Sequence, residues 1–205
     1  MPGDGDITAL LRRLDGEDPS AAAELLPRVY ADLRAIARGQ RGRWRGDLTL
    51  DATALVHEAY LRLVEQTGAS WLSREHFFAV AATAMRQILV NAARDRRAQK
   101  RGGGARRVDL DAAGLVTDER VELILAVDAG LERLAAISEQ QARIVEQRFF
   151  AGLSQAEIAA SLGISERTVR REWIKARATL MVELGELGEL GALAQPDGAV
   201  AEGEG

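Results

Sequence analysis

The chemistry that this sequence indicates most clearly is recognition of nucleic acid by the basic face of a helix. Arg167 and Arg171 are one turn apart, and on a helix that starts after Ser165 they point away from the apolar positions. Guanidinium and ammonium groups on such a face suit a major groove, which is lined by phosphates and guanine acceptors. The candidate DNA-contacting residues are Ser165, Arg167, Thr168, Arg170, Arg171 and Lys175. The alternative is an ordinary amphipathic helix whose basic face is only solvated.

Two short helices joined by a sharp turn are predicted to position this face. Ser154 and Glu157 have the spacing of a capping box at the start of the first helix. Gly163 tolerates the positive φ that an abrupt turn requires, and Ser165 can cap the second helix. The apolar side of the second helix consists of Val169, Trp173, Ala176 and Leu180. The stretch Leu153–Leu180 therefore predicts a helix-turn-helix.

A second basic stretch ends the long helix that is predicted from Phe77 to about Lys100. Between positions 86 and 107 the chain carries eight basic residues and a single acid, Asp95. The basic residues are Arg86, Arg94, Arg96, Arg97, Lys100, Arg101, Arg106 and Arg107. Such a run is typical of contact with a nucleic-acid backbone, and the alternative is a solvated helix end that leads into a linker. A shorter basic stretch, Arg38–Gly46, is predicted as a loop, and a solvated turn or a surface for nucleic acid or acidic protein is equally compatible with it.

The composition favours a helical protein with a locally basic surface. Of 205 residues, 47% are apolar but only 4% are aromatic, and alanine, leucine and arginine dominate. The formal net charge is −4, but the six charged residues after position 182 are all acidic, so residues 1–182 carry about +2. Binding responds to local charge more than to the sum, so the acidic total does not exclude a nucleic-acid partner.

Residue types that catalyse reactions or hold metals are sparse. The absence of cysteine excludes disulfides and thiolate metal sites. His57 and His76 lie on different predicted helices without metal-ligand spacing, and neither a Ser-His-Asp arrangement nor a phosphate-binding glycine motif is found. The sequence therefore predicts a protein that is not an enzyme and uses no metal or cofactor. With no apolar run that could cross a membrane and no secretion signal, a cytoplasmic location is expected.

The chain divides into two predicted helical halves, residues 1–101 and residues 121–184. Between them, residues 102–120 begin with three glycines and lack helical periodicity, which predicts a flexible linker. Residues 185–205 form an acidic tail of low complexity, in which Glu-Leu-Gly triplets disfavour a helix. The expected fold is all-α, with two small helical domains joined by the linker.

In their order and spacing, these features resemble the sigma factors of bacterial RNA polymerase of the extracytoplasmic-function (ECF) type. The segment Ala54–Val64 (ALVHEAYLRLV) resembles the family's region 2 helix that docks on the polymerase clamp. The segment Phe77–Arg101 (FFAVAATAMRQILVNAARDRRAQKR) resembles the helix that meets the minus-10 element and helps to open it. The segment Arg143–Leu180, which contains the helix-turn-helix, resembles region 4, whose recognition helix reads the minus-35 element.

The resemblance implies a role for each set of residues. Polymerase binding is implied for His57, Glu58, Tyr60, Leu61 and Arg62. Minus-10 recognition and melting are implied for Trp71, in a base-capturing loop, and for Arg86, Gln87, Asn91, Arg94, Arg96 and Arg97. Minus-35 recognition is implied for the DNA-contacting residues of the helix-turn-helix. The implied partners are core RNA polymerase and promoter DNA, with an anti-sigma factor or another regulator as a further possibility and no insertion into a membrane.

Some features depart from the common pattern of the family. Gln87 and Asn91 occupy positions at which many members have Asn and Asp. This difference leaves open which minus-10 sequence is recognised. The basic loop Arg38–Trp44 is longer than in typical members and resembles a less-studied branch of the family. The acidic tail after Leu184 is an addition, for which shielding of the recognition helix and binding of a regulator are two hypotheses.

Two rival interpretations come from other classes of protein. A stand-alone helix-turn-helix regulator that binds operators as a dimer explains the second half but leaves Ala54–Val64 and Phe77–Arg101 without a role. A metal-dependent nuclease would need a cluster of carboxylates or histidines, which the sequence does not suggest. Copurification with core polymerase distinguishes a sigma factor from the first rival, and metal-stimulated cleavage of DNA would indicate the second.

Overall fold

The structure, a computed structural model, describes residues 4–16, 18–43, 50–65, 71, 73–100, 116 and 121–184. In this part of the chain every regular element is a helix and no strand is found, which confirms the predicted all-α class. The predicted linker, apart from the buried Val116, and the acidic tail after Leu184 lie outside the described residues. No helix in these ranges is long and apolar enough to cross a membrane.

The first half contains four helices: α1 (Asp4–Asp15), α2 (Pro19–Arg43), α3 (Leu50–Glu65) and α4 (Arg74–Lys100). Their apolar stripes meet in a core in which Leu25, Leu33, Leu55 and Phe77 are fully buried. Ser73 caps α4, because its Oγ accepts a hydrogen bond from the His76 backbone N–H at 3.2 Å. The cap fixes where the long helix begins.

The end of α2 corrects one prediction. Residues 38–43 are helical, so the predicted loop is wrong for them, and residues 44–46 lie outside the described part. Gly39 and Gly42 lie in this stretch, and each costs about 1 kcal/mol in a helix interior. Buried Ile36 and Ala37 hold the preceding turn against the core, and arginine and glutamine are good helix formers, so the helix continues.

The second half contains α5 (Val121–Ile137), α6 (Glu139–Val145), a π-helical segment (Glu146–Phe150), α7 (Gln155–Leu162) and α8 (Glu166–Leu184). Ser138 caps α6, accepting from the Gln141 N–H at 3.3 Å. The π segment was not predicted. Its wider turn brings Phe149 and Phe150 into the core with their rings edge to face, 5.0 Å apart.

The two halves pack against each other along α4. One hydrophobic cluster contains residues of both halves and runs from Ile7 to Leu180. At the contact, Leu89 and Val90 of α4 meet Ile124 and Val127 of α5 and Phe150 of the π segment. Complete burial of one such side chain contributes about 1.5–3 kcal/mol. The helix that carries the second basic stretch is therefore also the helix on which the second half is seated.

Candidate nucleic-acid interface

The turn between α7 and α8 is fixed by the residues that the sequence singled out. Ser154 N–H donates to Glu157 Oε2 at 2.8 Å, and Glu157 N–H donates to Ser154 Oγ at 3.3 Å, which completes the predicted capping box. Gly163 adopts the left-handed conformation with φ 65°, as the turn requires. These contacts confirm the predicted helix-turn-helix geometry.

A small separate core sets the angle between the two helices. Ile144, Ile158, Ala159 and Val169 form a buried cluster between α6, α7 and α8. Ala159 lies where the helices approach, and its carbonyl accepts from the Ile164 N–H at 3.0 Å. A larger side chain at position 159 would push α8 away, so this core determines where the exposed face of α8 is presented.

The exposed face of α8 carries the predicted cations. Val169, Ala176 and Leu180 are buried and Trp173 is partly buried, as expected for the inner face. Arg167, Arg170, Arg171 and Lys175 are exposed. At the start of the helix, Ser165 Oγ accepts from the Thr168 N–H at 3.2 Å, and the two hydroxyl groups lie 2.9 Å apart. These two residues therefore cap α8 in this structure, while the four cations face outwards.

Glu172 is a functional candidate that the sequence analysis missed. Its carboxylate is buried beneath the basic face and accepts from Gln141 Nε2 at 2.8 Å, Arg171 Nε at 2.9 Å and Lys175 Nζ at 3.1 Å. Hydrogen bonds from Gln141, Lys175 and Arg171 lower the pKa of Glu172 to about 2, so the group is ionised at neutral pH. Glu172 thus restrains two of the predicted DNA-contacting cations and ties α8 to α6. Its position next to Trp173 on the inner side of the helix was the available sequence signal.

The basic face of α4 is engaged with acids of the second half. Arg86, whose side chain is 11% exposed, pairs with Asp128 of α5 and with Glu146 of the π segment, the latter at 2.6 Å. Arg94 reaches the same Asp128 at 2.9 Å. Further along the helix, Arg97 Nε lies 3.4 Å from Glu122 Oε1. Three of the cations that the sequence assigns to minus-10 DNA are therefore held by acidic groups of the same chain.

The remaining minus-10 candidates lie in different surroundings. Asn91 is exposed, and Gln87 and Arg96 are partly buried, on the same helix. Trp71 is 5% exposed, with its indole packed edge-on against Phe77 at 5.3 Å and its backbone N–H donating to Asp15 at 3.0 Å. The Trp71 ring would have to leave the core to stack on a base.

The predicted polymerase-binding residues of α3 are divided between two faces. His57 and Arg62 are exposed, and Leu61 is an exposed apolar side chain at 54%. Arg62 pairs with Glu58 at 2.9 Å, one turn earlier. Tyr60 faces the opposite way: it is buried, and its hydroxyl donates to the Ala22 carbonyl. The structure thus brings His57, Glu58, Leu61 and Arg62 together at the surface and gives Tyr60 a packing position.

In the described ranges, no group of three or more histidine or acidic side chains is arranged to hold a metal ion. The acids that come together around Arg86 and Arg94 are paired with arginines instead. Their role in this structure is electrostatic.

A helix-turn-helix with an exposed basic face, in a chain whose described elements are all helices, is typical of a DNA-binding protein of the kind that acts in transcription. The family model described as ECF sigma factor matches residues 4–186, and the chain belongs to this family. It therefore has a sigma factor's role in transcription initiation, with core RNA polymerase and promoter DNA as the partners that the family implies. Neither the comparison with curated proteins nor that with solved structures produced a match.

Proposed function

We propose that this sigma factor divides promoter recognition between its two halves. Residues 1–101 act as region 2, which binds the polymerase clamp and recognises and melts the minus-10 element. Residues 121–184 act as region 4, which reads the minus-35 element, and residues 102–120 connect them. Two weak readers on one chain gain avidity only when both elements are present at the right spacing.

The observation that carries the proposal is the exposed basic face of α8 on a fixed helix-turn-helix. Arg167, Arg170 and Arg171 are exposed on the first two turns of the helix, where side chains reach base edges when such a helix enters a major groove. Arginine forms bidentate hydrogen bonds with guanine O6 and N7, and it also contacts phosphate. Glu172 restrains Arg171 before DNA arrives, so less side-chain freedom is lost on binding.

In the first half, the α3 face formed by His57, Glu58, Leu61 and Arg62 suits a protein partner. An exposed leucine surrounded by charged side chains has the composition of an interface with an apolar centre and a polar rim. For minus-10 DNA we propose Asn91 and Gln87 as base-contacting groups and Arg94, Arg96 and Arg97 as contacts to the backbone. Trp71 is buried in the core, and we assign it a packing role next to the loop to which the resemblance gives base capture.

Copurification tests the polymerase assignment. The tagged chain, mixed with core RNA polymerase that lacks any sigma factor, is expected to elute with it from a sizing column. Leu61→Glu places a charge at the centre of the α3 face, and it should abolish coelution without changing the helical content. The control is Ala23→Glu, which introduces the same charge at an exposed position of α2 and should coelute normally. Leu14 offers no such control position, because its side chain packs against the core. Normal coelution of Leu61→Glu would overturn the assignment of this face.

A further inference from the structure

The outward face of α8 carries an apolar stripe in its last three turns. Ile174, Met181 and Val182 are 62%, 55% and 82% exposed, and Ala178 between them is also exposed. Spacings of three and four residues place these side chains on one face of the helix, called the α8 stripe below. Of the five large apolar side chains that are exposed in the described part of the chain, three lie in this stripe. A contiguous exposed patch of this kind indicates a contact site, whereas single exposed apolar residues are ordinary.

The α8 stripe continues the basic face of the same helix. Arg170 and Arg171 precede Ile174 by four and three residues, so they share its face one turn earlier. The first two turns of this face suit phosphate and guanine, whereas its last three turns suit an apolar partner. At a rise of 1.5 Å per residue, the whole face from Arg167 to Val182 is about 22 Å long. A partner that covers both parts would present apolar groups to one end of α8 and negative charge to the other.

The residues that follow α8 in the sequence have this composition and this order. Leucines come first, at every third position, and they are Leu187, Leu190 and Leu193. Acids without neighbouring leucines come later, at Asp197, Glu202 and Glu204. A segment that reverses at Gly185, directly after the helix, meets the α8 stripe first and the arginines second. The order of apolar and acidic residues therefore matches α8 when the segment runs back along the helix.

The spacing and the length of this segment also fit the face that it would cover. With three residues per turn, as in a polyproline-II chain, the leucines lie along one side and Glu186 and Glu189 along another. The leucines can then be buried without burying a carboxylate. At a rise of 3.1 Å per residue, residues 185–205 extend to about 65 Å, roughly three times the length of the α8 face. Attachment to α8 also gives the segment a high local concentration, so that even a weak contact is populated.

We propose that residues 185–205 fold back along α8, with their leucines on the α8 stripe and their later acids over Arg167, Arg170 and Arg171. Of the two hypotheses that the sequence raises for the acidic tail, the exposed stripe favours shielding. Carboxylates of the tail and phosphates of DNA compete for the same guanidinium groups, so the contact lowers the affinity of the free protein for DNA. The contact itself is independent of the proposed function. Its consequence rests on that function in one respect, that α8 reads minus-35 DNA.

Docking of the tail is measured by paramagnetic broadening of methyl signals in the whole chain. The chain has no cysteine, so Ala194→Cys gives a unique site for a nitroxide in the tail. Isotopically labelled methionine methyl groups report its approach: Met181 lies on the α8 stripe, and Met85, which is fully buried in α4, is the internal reference. We expect the Met181 signal to be broadened in the oxidised sample and restored when ascorbate reduces the nitroxide. A Met181 signal that stays as sharp as that of Met85 would overturn the proposal.

Matched tail variants separate docking from mere attachment and from charge. The leucine variant combines Leu187→Ser, Leu190→Ser and Leu193→Ser and keeps every acid. The alanine variant is the control, and it combines Ala192→Ser, Ala199→Ser and Ala201→Ser. We expect the leucine variant to lose most of the Met181 broadening and to bind a fluorescein-labelled DNA duplex of random sequence about tenfold more tightly, as should a chain that lacks residues 185–205. The alanine variant should match the unmodified chain. A leucine variant that matches the unmodified chain, in broadening or in affinity, would overturn the proposal.

Other occupants of the α8 stripe give different results. Spin-labelled chains without isotope are mixed with isotope-labelled chains without nitroxide, and broadening of Met181 in this mixture would assign the stripe to a second copy and contradict the proposal. A Met181 signal that changes only when core polymerase is added would assign the stripe to polymerase, with the same consequence.

Run-off transcription with core polymerase, measured on the same preparations, distinguishes failure of this proposal from failure of the proposed function. Broadening that depends on the tail leucines, in a chain that yields no transcript, contradicts the proposed function alone. Transcription by a chain whose Met181 signal is not broadened contradicts the tail contact alone.

Discussion

Glu172 shows how one buried carboxylate organises a recognition surface. It binds Arg171 and Lys175 from beneath while Gln141 holds it from the neighbouring helix. Two side chains with many rotamers are thereby restrained in the orientation in which they face outwards. Because these side chains lose conformational entropy when the protein folds, they lose less of it when DNA binds.

Arg171 is expected to contribute to recognition of the minus-35 element. If its guanidinium forms a bidentate contact with guanine, Arg171→Ala should weaken binding to minus-35 DNA by about 1–3 kcal/mol. Fluorescence anisotropy of the polymerase holoenzyme on labelled promoter DNA measures the change, and promoter DNA with a scrambled minus-35 element is the control. An equal loss on both DNAs would assign Arg171 to phosphate contact instead.

The second prediction follows from the low pKa of Glu172. Because folding lowers this pKa from its ordinary 4.5 to about 2, ionised Glu172 stabilises the fold above pH 4.5, and the stabilisation is lost as the pH falls towards 2. Glu172→Gln should therefore unfold at lower urea than the unmodified chain at pH 7, and the difference should shrink as the pH falls below 4.5. A difference in unfolding free energy that does not change with pH would contradict this account of Glu172.

Within single helices and turns, the features that the sequence predicts are those determined by residues close together along the chain. Ser154, Glu157 and Gly163 have the capping and turn roles that the sequence predicts, because each role depends on residues at most a few positions away. The π segment could not be anticipated in this way. Its extra residue is accommodated by tertiary packing of Phe149 and Phe150, and no local rule distinguishes these residues from an α-helical turn.

Glycine substitutions separate backbone conformation from packing. Gly163 and Gly39 both have open space where a Cβ would lie, but Gly163 has φ +65° and Gly39 lies within α2. Gly163→Ala should destabilise the protein by about 1–2 kcal/mol, because an L-residue in the left-handed region brings its Cβ close to the next carbonyl. Gly39→Ala should stabilise it by about 0.5–1 kcal/mol, since alanine loses less entropy in a helix. Thermal unfolding measures both, and shifts of the same sign would contradict the assignment of the turn.

The basic face of α4 gives a further prediction at the same scale. Replacing Arg94, Arg96 and Arg97 together by alanine should impair promoter opening and lower the salt dependence of DNA binding, since three phosphate contacts are removed. Permanganate reactivity of thymines near the start site measures the opening. A template that is already unpaired at minus-10 is the control, on which the variant should regain transcription. A normal open complex on fully paired DNA would count against this role of α4.

In the molecule as a whole, the contact between the two halves is the feature that the sequence does not predict. The arginines of α4 were recognised as a basic run, but their partners Asp128 and Glu146 lie 42 and 60 positions further along from Arg86. Charge runs do not report such distant pairs. Asp128 did offer a signal, since an acid beside Val127 on the buried stripe of a helix requires a cation nearby.

The central claim, that this sigma factor uses both halves to select a promoter, is tested most directly by transcription in vitro. Core polymerase with and without the protein is supplied with a genomic fragment library, and a start site that depends on the protein is selected. The account predicts that altering either the minus-35 or the minus-10 element of that promoter reduces the transcript, and that changing the distance between them does so as well. Protein-dependent transcription that is indifferent to one of the two elements, or no transcript at all, would contradict it.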